Sequence, residues 1–416
     1  MTGIPGCPTC DTGDIAWVIA ATALVMIMTP GLGFFYGGLV RRKNLVSTIV
    51  QCMAIFAVVS LAWAIWGYTL AFGPSTLGGF IGNFQFFALH GVGTAADATY
   101  STAIPALLYF AFQLKFAAIT PALIIGAFAG RIRFKALLIF ILAWVTFIYF
   151  PVAHWIWGDG GWLHALGVED FAGGMVVHTT AGVSALAAAL VIGRGVDFGK
   201  ESRPNNVPYV ILGTAILWFG WFGFNSGSAL AADGIAVNAL VTTNLAAAAA
   251  GVSWMLIDWI RKGKPSAVGM CVGFVCGLAA VTPAAGFVDP SFAMLIGLAA
   301  GVGCNFVASW RARSKLDDSL DVFACHGVGG MWGTVATGLF ASAAISGSNG
   351  LVYGNPHFAL LQMFAVAVVA TFAFVGTFVI LHVINFFTPL RTSVEEEKAG
   401  LDEVHFGEEA YYPASE

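Results

Sequence analysis

The sequence predicts an all-α membrane protein of eleven transmembrane helices, and three observations carry that prediction. Of its 416 residues, 58% are hydrophobic and only 10% charged, where a soluble domain carries about 25% charged residues. Apolar runs recur at 15–40, 45–72, 104–130, 136–157, 170–193, 207–231, 236–260, 266–286, 291–310, 321–346 and 357–388, each about the 20 residues that a bilayer core demands. Every Lys and Arg but one falls into six clusters that follow the odd-numbered runs: Arg41/Arg42/Lys43, Arg131/Arg133/Lys135, Arg194/Lys200/Arg203, Arg261/Lys262/Lys264, Arg311/Arg313/Lys315 and Arg391/Lys398.

Basic loops stay in the cytoplasm, so this alternation places the N-terminus outside and the C-terminus inside. Residues 1–14 form an outer segment, 15–388 the membrane domain and 389–416 a cytoplasmic tail. The opening MTGIPGCPTCDTGD has no Lys or Arg ahead of its apolar run, so it lacks the basic region of a signal peptide, and the first run is a true span. Cys7 and Cys10 leave three readings open, a disulfide, a metal-ligand pair or a plain loop. The other five cysteines sit in apolar stretches and read as small buried hydrophobes. Abundant Gly (51) and Phe (35) suit helices packed through small residues, with rings left for cavities and lipid.

The outer loops hold Asp97, Asp159, Glu169, Asp233 and Asp289 without a single Lys or Arg, which favours cations near an entrance within a Debye length of about 8 Å. No basic patch points to nucleic acid. No nucleophile–base pairing, metal spacing or phosphate loop occurs in a polar segment, so the expectation is a non-enzyme without cofactor or metal.

Helices 5 and 10 begin alike, with Asp170 in DFAGGMVVH leading to His178 and Asp321 in DVFACHGVGG leading to His326. Helices 1–5 run opposite to helices 6–10, so an in-plane pseudo-twofold axis relates the halves as an inverted repeat and brings both histidines near the midplane. Ionisable groups are costly in lipid and usually face a pathway, although histidines satisfied by backbone carbonyls are the alternative. Both aspartates read first as caps on free helix N–H groups, with a cation-stabilising role in an outer vestibule also open to Asp170.

On helix 6, GWFGFNSGSA sets Trp221, Phe224 and Ser228 on one stripe. Rings attract a desolvated cation and a hydroxyl accepts one of its hydrogen bonds, so the stripe suits a pore lining, while packing is the commoner meaning of aromatic stripes. Helix 3 adds Phe112 and Phe116, and helix 4 ends on Trp157, where an interfacial belt residue is the alternative. Lys115 is the basic residue outside the clusters. Sixteen residues before Arg131, it lies roughly 24 Å from the cytoplasmic boundary, within the hydrocarbon core. Snorkelling outward or bonding at a subunit contact is its favoured reading; a modulating head group beside Phe116 is the other.

The segments PGLGFFYGGLVRRKN, FAGRIRF, AHWIWG, DFAGGMVVH, GWFGFNSGSA and DVFACHGVGG, taken in order, resemble signatures of the Amt/Mep/Rh ammonium transporters, on the Amt side, over nearly the whole chain. That resemblance implies one pore per subunit of a homotrimer in the cell membrane. It implies an outer recruitment site of Trp157, Phe116 and Ser228 supported by Asp170, a gate of Phe116 and Phe224, and a central pair, His178 and His326. It also implies a regulatory tail and a PII-type signalling partner at the cytoplasmic face. Since neutral ammonia crosses an apolar pore far more cheaply than ammonium, the expected mechanism recruits the cation, strips its proton near the gate, passes ammonia along the histidines and relays a proton by them. A sensor with the same fold and little conduction is the runner-up.

Overall fold

The computed structural model describes residues 6–200 and 203–411. Eleven helical segments stand where the apolar runs predict them: α1 (Thr12–Leu39), α2 (45–72), α3 (Ala106–Phe128), α4 (134–157), α5 (Gly174–Ile192), α6 (Val207–Ala229), α7 (Gly234–Lys262), α8 (Ala267–Val281), α9 (Pro290–Arg313), α10 (323–340) and α11 (Pro356–Phe387). Among the described residues, nine are long and apolar enough to cross a membrane; α8 and α10 are shorter.

Side-chain caps set many of the starts. Asp11 accepts the N–H groups of Gly13 and Asp14 at 2.8 and 3.1 Å, Asn206 that of Tyr209 at 2.9 Å, Asp233 that of Ala236 at 2.9 Å and Ser266 that of Gly269 at 3.0 Å, each satisfying an orphan donor of the first turn. The sequence reading overruns several ends, among them α5, which starts at Gly174 rather than 170, and α10, which stops at Phe340 rather than 346. Thr282, Pro283 and Gly286 close α8 at Val281 rather than 286, because proline cannot continue the hydrogen-bond ladder. Helix α10 starts after Asp321, whose φ of 57° is not helical.

The helices pack through small residues. A Cβ on Gly213 of α6 would lie 2.3 Å from the backbone nitrogen of Phe35 on α1, so the two helices touch backbone to backbone. A buried polar node ties three others together: Trp144 Nε1 on α4 donates to Ser184 Oγ of α5 at 2.9 Å and to Thr377 Oγ1 of α11 at 3.0 Å, with Thr377 donating to Ser184 at 2.7 Å. Buried in an apolar surround, these groups satisfy one another.

At the acidic end, the loop 73–103 carries two short antiparallel pairs, Ser75–Thr76 with Ile81–Gly82 and Ala96–Asp97 with Ser101–Pro105. Cys7 and Cys10 are joined as a disulfide, which settles the three alternatives the sequence left open. The five remaining cysteines are free and buried, as expected.

At the basic end the tail folds back over the bundle as two short helices, α12 (Val394–Ala399) and α13 (Leu401–Phe406). Ser393 and Glu396 close a capping box on the first. The carboxylate of Asp402 accepts the N–H groups of Val46 and Ser47 at 3.0 and 2.7 Å, so the tail caps α2. Glu397 accepts from Arg391 Nε at 2.6 Å and from Val196 N at 3.1 Å. Tyr411 Oη accepts from Asn206 Nδ2 at 2.8 Å and donates to Asn205 Oδ1 at 3.2 Å.

Candidate functional site

Four helices, α2, α4, α5 and α10, contain a wide π turn, and both histidines sit in one: His178 within Gly174–Thr179 and His326 within Phe323–Val328. A π turn carries one extra residue and is frequent at functional sites. In α5 the turn is anchored by Asp170, whose carboxylate accepts four N–H groups, those of Gly173, Gly174, Met175 and Val176, at 2.9, 2.6, 2.7 and 3.1 Å. Capping is therefore what its oxygens do, and its charge reaches the nearby cavity from a fixed position.

The matching cap on α10 is Asp318, not Asp321. Asp318 accepts from Val322 N at 3.1 Å and Phe323 N at 2.8 Å, and lies eight residues before its histidine, as Asp170 does. Asp321 instead forms a two-point ion pair with Arg311, Nε–Oδ1 2.7 Å and Nη2–Oδ2 2.9 Å. Burial, with the neighbouring charge of Asp321 second, pushes the Asp318 carboxyl up to about 7.

The two histidines meet. Their Nδ1 atoms are 3.3 Å apart and their rings 5.2 Å apart at 22°. A shared Nδ1–Nδ1 hydrogen bond between neutral rings requires opposite tautomers, one ring donating and the other accepting. One Nε2 is then a bare acceptor and the other an N–H donor, so the pair offers both halves of a hydrogen bond to a small neutral guest. His178 Nε2 is buried without a partner among the described residues.

Above His178 the rings form a column. Trp221 lies 5.3 Å from it at 25° and Phe224 6.0 Å at 24°; Trp221 Nε1 is held by Thr282 Oγ1 at 2.9 Å. Phe224 meets Phe116 at 4.2 Å. Below this contact a narrow lumen of about 10 Å³, room for roughly one water, is lined by Leu32, Val177, His178, Leu217, Trp221 and His326 among others. Above it a vestibule of about 350 Å³ opens at the acidic end, bordered by Phe112, Phe116, Trp157, Asp170 and Ser228. Trp157 Nε1 donates to the Asp170 carbonyl at 2.7 Å and its ring stands edge-on to Phe116 at 6.0 Å. Ser228 Oγ donates back to Phe224 O at 2.9 Å, leaving its lone pairs for the vestibule.

All the predicted pore residues thus come together except Lys115. Its Nζ lies 5.2 Å from the ring centroid of Phe56 on α2, and it borders neither the vestibule nor the lumen. The reading of Lys115 as a head group beside the gate is corrected accordingly. Residues missed by sequence reasoning include Gln113, whose buried Oε1 has no partner among the described residues while its side chain borders the vestibule, and Asp318. A 630 Å³ cavity at the basic end, bordered by Arg41, Arg131, Asp197, Arg311 and Glu397, was also not foreseen.

A bundle of apolar helices with a small apolar lumen beneath an aromatic contact is the architecture of a membrane transport protein. The chain belongs to the Ammonium Transporter Family, whose model matches residues 16–411. It is 46% identical over 402 residues to the ammonium transporter of Bacillus subtilis, covering 96% of this chain and 98% of that one. It is 46% identical over 400 residues to the ammonium transporter Amt1 of Archaeoglobus fulgidus, covering 96% and 99%. The crystal structure of Saccharomyces cerevisiae Mep2 superposes with a TM-score of 0.88 at 37% identity, covering 93% and 89%. A structure titled Sensor Amt Protein gives 0.88 at 30% identity, covering 95% and 98%. The protein is thus a multi-pass membrane protein of a transporter family.

Proposed function

We propose that this protein carries ammonium across the cytoplasmic membrane by recruiting the cation and passing ammonia. The stacked His178/His326 pair, sealed beneath the Phe116–Phe224 contact in a lumen with room for one small molecule, is the observation that carries this reading. Trp157, Phe116 and Ser228 recruit ammonium in the vestibule, with the Asp170 charge favouring it from beneath. Phe112 and Trp221 complete the lining on either side of the gate. A cation in the lumen would need a partner for each N–H, and opposite-tautomer histidines supply one acceptor and one donor; that set suits ammonia and leaves ammonium under-solvated. The proton left behind is relayed through the histidine pair.

The acidic end faces outward and the basic end with the tail faces the cytoplasm, in line with the positive-inside pattern, and helices α1–α5 and α6–α10 form an inverted repeat, supported by the matching π turns and caps. The assembly is a homotrimer with one pore per subunit, and a PII-type partner engages the basic face, where the docked tail would report its presence. Both are implied by the family resemblance. A molar mass by light scattering that fits a single chain would refute the trimer.

Purified protein in proteoliposomes on a solid-supported membrane tests the transport reading. Ammonium pulses should give saturable currents that His178→Ala and His326→Ala abolish. Unchanged currents in both variants would overturn the relay. The absence of any saturable flux in the unmodified protein would instead favour a sensor.

A further inference from the structure

A second cavity opens at the acidic end beside the vestibule. This half-open cavity of about 420 Å³ lies between the end of α2 and the loop 73–103 and is bordered by Tyr68, Phe72, Phe86, Tyr100, Asp97 and Asp159. Tyr68 lies 5.7 Å from Phe72 and 5.9 Å from Phe86, and Phe72 meets Tyr100 edge-on at 5.2 Å. Phe86 and Tyr100 are part-exposed and present ring surface to this space, while Tyr68 and Phe72, each 1% exposed, form its packed floor. Tyr100 is the partition: with Thr99 and Asp159 it borders both cavities. Its ring lies flat on Tyr109 at 4.9 Å and 11°, its hydroxyl donates to Phe72 O at 2.8 Å, and it accepts from Asp159 N at 3.3 Å.

The polar groups of this box are largely uncommitted. One oxygen of Asp97 accepts from Thr99 N at 3.0 Å. Among the described residues, no hydrogen bond or ion pair reaches its other oxygen, either carboxylate oxygen of Asp159, the Tyr68 hydroxyl or the Gln85 side-chain amide. Between residues 44 and 130 the chain has one Lys or Arg, Lys115, which lies against Phe56, and one histidine, His90, exposed in the loop. Two carboxylates, Asp97 part-exposed and Asp159 exposed, thus stand beside two part-exposed aromatic rings, and among the described residues no ion pair reaches either.

We propose that this cavity binds an alkylated ammonium ion, of the quaternary ammonium class, at a site separate from the pore. Ring faces attract cations, and quaternary ammonium groups in particular, while the carboxylates fix the sign of the guest. The volume would hold on the order of ten waters, so an ion as small as ammonium cannot touch opposite walls, whereas N-alkyl groups fill them. A quaternary ion has no proton to lose and cannot become a neutral species able to pass the phenylalanine gate. Resting beside Asp159 and Tyr100, it would repel ammonium from the adjoining vestibule and act as an inhibitor from that face. The site goes beyond the transport reading and stands without it, since binding is measured with no flux.

Purified full-length protein titrated with tetramethylammonium chloride, against sodium chloride at equal ionic strength, should show saturable binding by calorimetry or saturation-transfer NMR. Removing one of two carboxylates in Asp97→Asn should weaken it roughly tenfold, and Phe86→Leu several-fold. The exposed Asp159→Asn gives a third variant should either of these fail to fold, and should also weaken binding. Trp157→Leu, which alters the vestibule alone, should leave the affinity within about twofold. Failure to saturate, or equal affinity in the folded carboxylate variants, would overturn the proposal. So would binding lost in Trp157→Leu but kept in Asp97→Asn, because that pattern locates the ion in the vestibule.

Discussion

Gly182 on α5 and Gly327 on α10 are in backbone contact: a Cβ on Gly182 would stand 2.0 Å from the nitrogen of Gly327 and 2.2 Å from its Cα. Gly327 follows His326 directly, and Gly182 lies one turn beyond His178, so this contact sets the spacing of the two imidazoles. Neither helix can move toward a side chain here without carrying its histidine with it.

Gly182→Ala should therefore destabilise the protein by at least the 1–3 kcal/mol typical of overpacking and disturb the 3.3 Å Nδ1–Nδ1 contact. The expected result is a lowered melting temperature together with a loss of ammonium current larger than the loss of folded protein. A fully active, equally stable variant would show that the crossing tolerates a methyl group.

Asp318 makes a pH prediction at the basic end. An unfolded aspartate titrates near 3.8, and the folded one near 7. Because the folded state holds the proton more tightly, the stability contributed by this group is complete below the unfolded value and is lost as pH climbs through the folded one, a change of a few kcal/mol. Between roughly pH 4 and 8 the melting temperature should fall more steeply in the unmodified protein than in Asp318→Asn, which stays neutral throughout. Parallel melting curves across that range would contradict this.

In the vestibule, Trp157→Leu removes a ring face from the recruited cation. A loss of about 1 kcal/mol, in the range of a cation–π contact, raises the half-saturating ammonium concentration about fivefold. The maximal current should change less, since the histidines are untouched. A variant with unchanged half-saturation would remove Trp157 from recruitment.

Lys115→Gln should leave the half-saturating concentration and the maximal current as they are, because Nζ rests on Phe56 and not in the pore. A severalfold change in either quantity, in a variant of normal stability, would reinstate this residue as a modulator.

Asp402→Ala leaves Val46 N and Ser47 N without their shared carboxylate, at a cost of about 1 kcal/mol for a lost cap. Limited proteolysis should then cut the 389–411 segment faster than in the unmodified protein. Unaltered cleavage would mean that the remaining contacts of Glu397 and Tyr411 suffice to hold it.

Much of this molecule is legible in its sequence because a bilayer admits few solutions for a backbone. The eleven helical segments lie within a few residues of the apolar runs, His178 and His326 gather as the repeat suggests, and Phe116 and Phe224 as the family resemblance implies. What fails does so for local reasons. Asp321 looks like the counterpart of Asp170 because it directly precedes the apolar run, yet the extra residue in each π turn and the positive φ of Asp321 move the cap back to Asp318. Lys115 is ambiguous on a helical wheel: at about 100° per residue it falls within roughly 60–100° of both Phe112 and Phe116, so only its contact with Phe56 decides its side. The box around Asp97 is built by a loop whose short strands leave no periodic signal.

If ammonia passes between Phe116 and Phe224 as proposed, their 4.2 Å contact makes passage a matter of waiting times. Close-packed rings open only when they swing together, and each swing admits at most what one small molecule's worth of space can accept. Two solutes of similar diameter then differ in how often they occupy the threshold when it happens to open, and in how readily each sheds its water at that instant. Discrimination by such a device is kinetic, and warming should speed traffic chiefly by shortening the interval between swings.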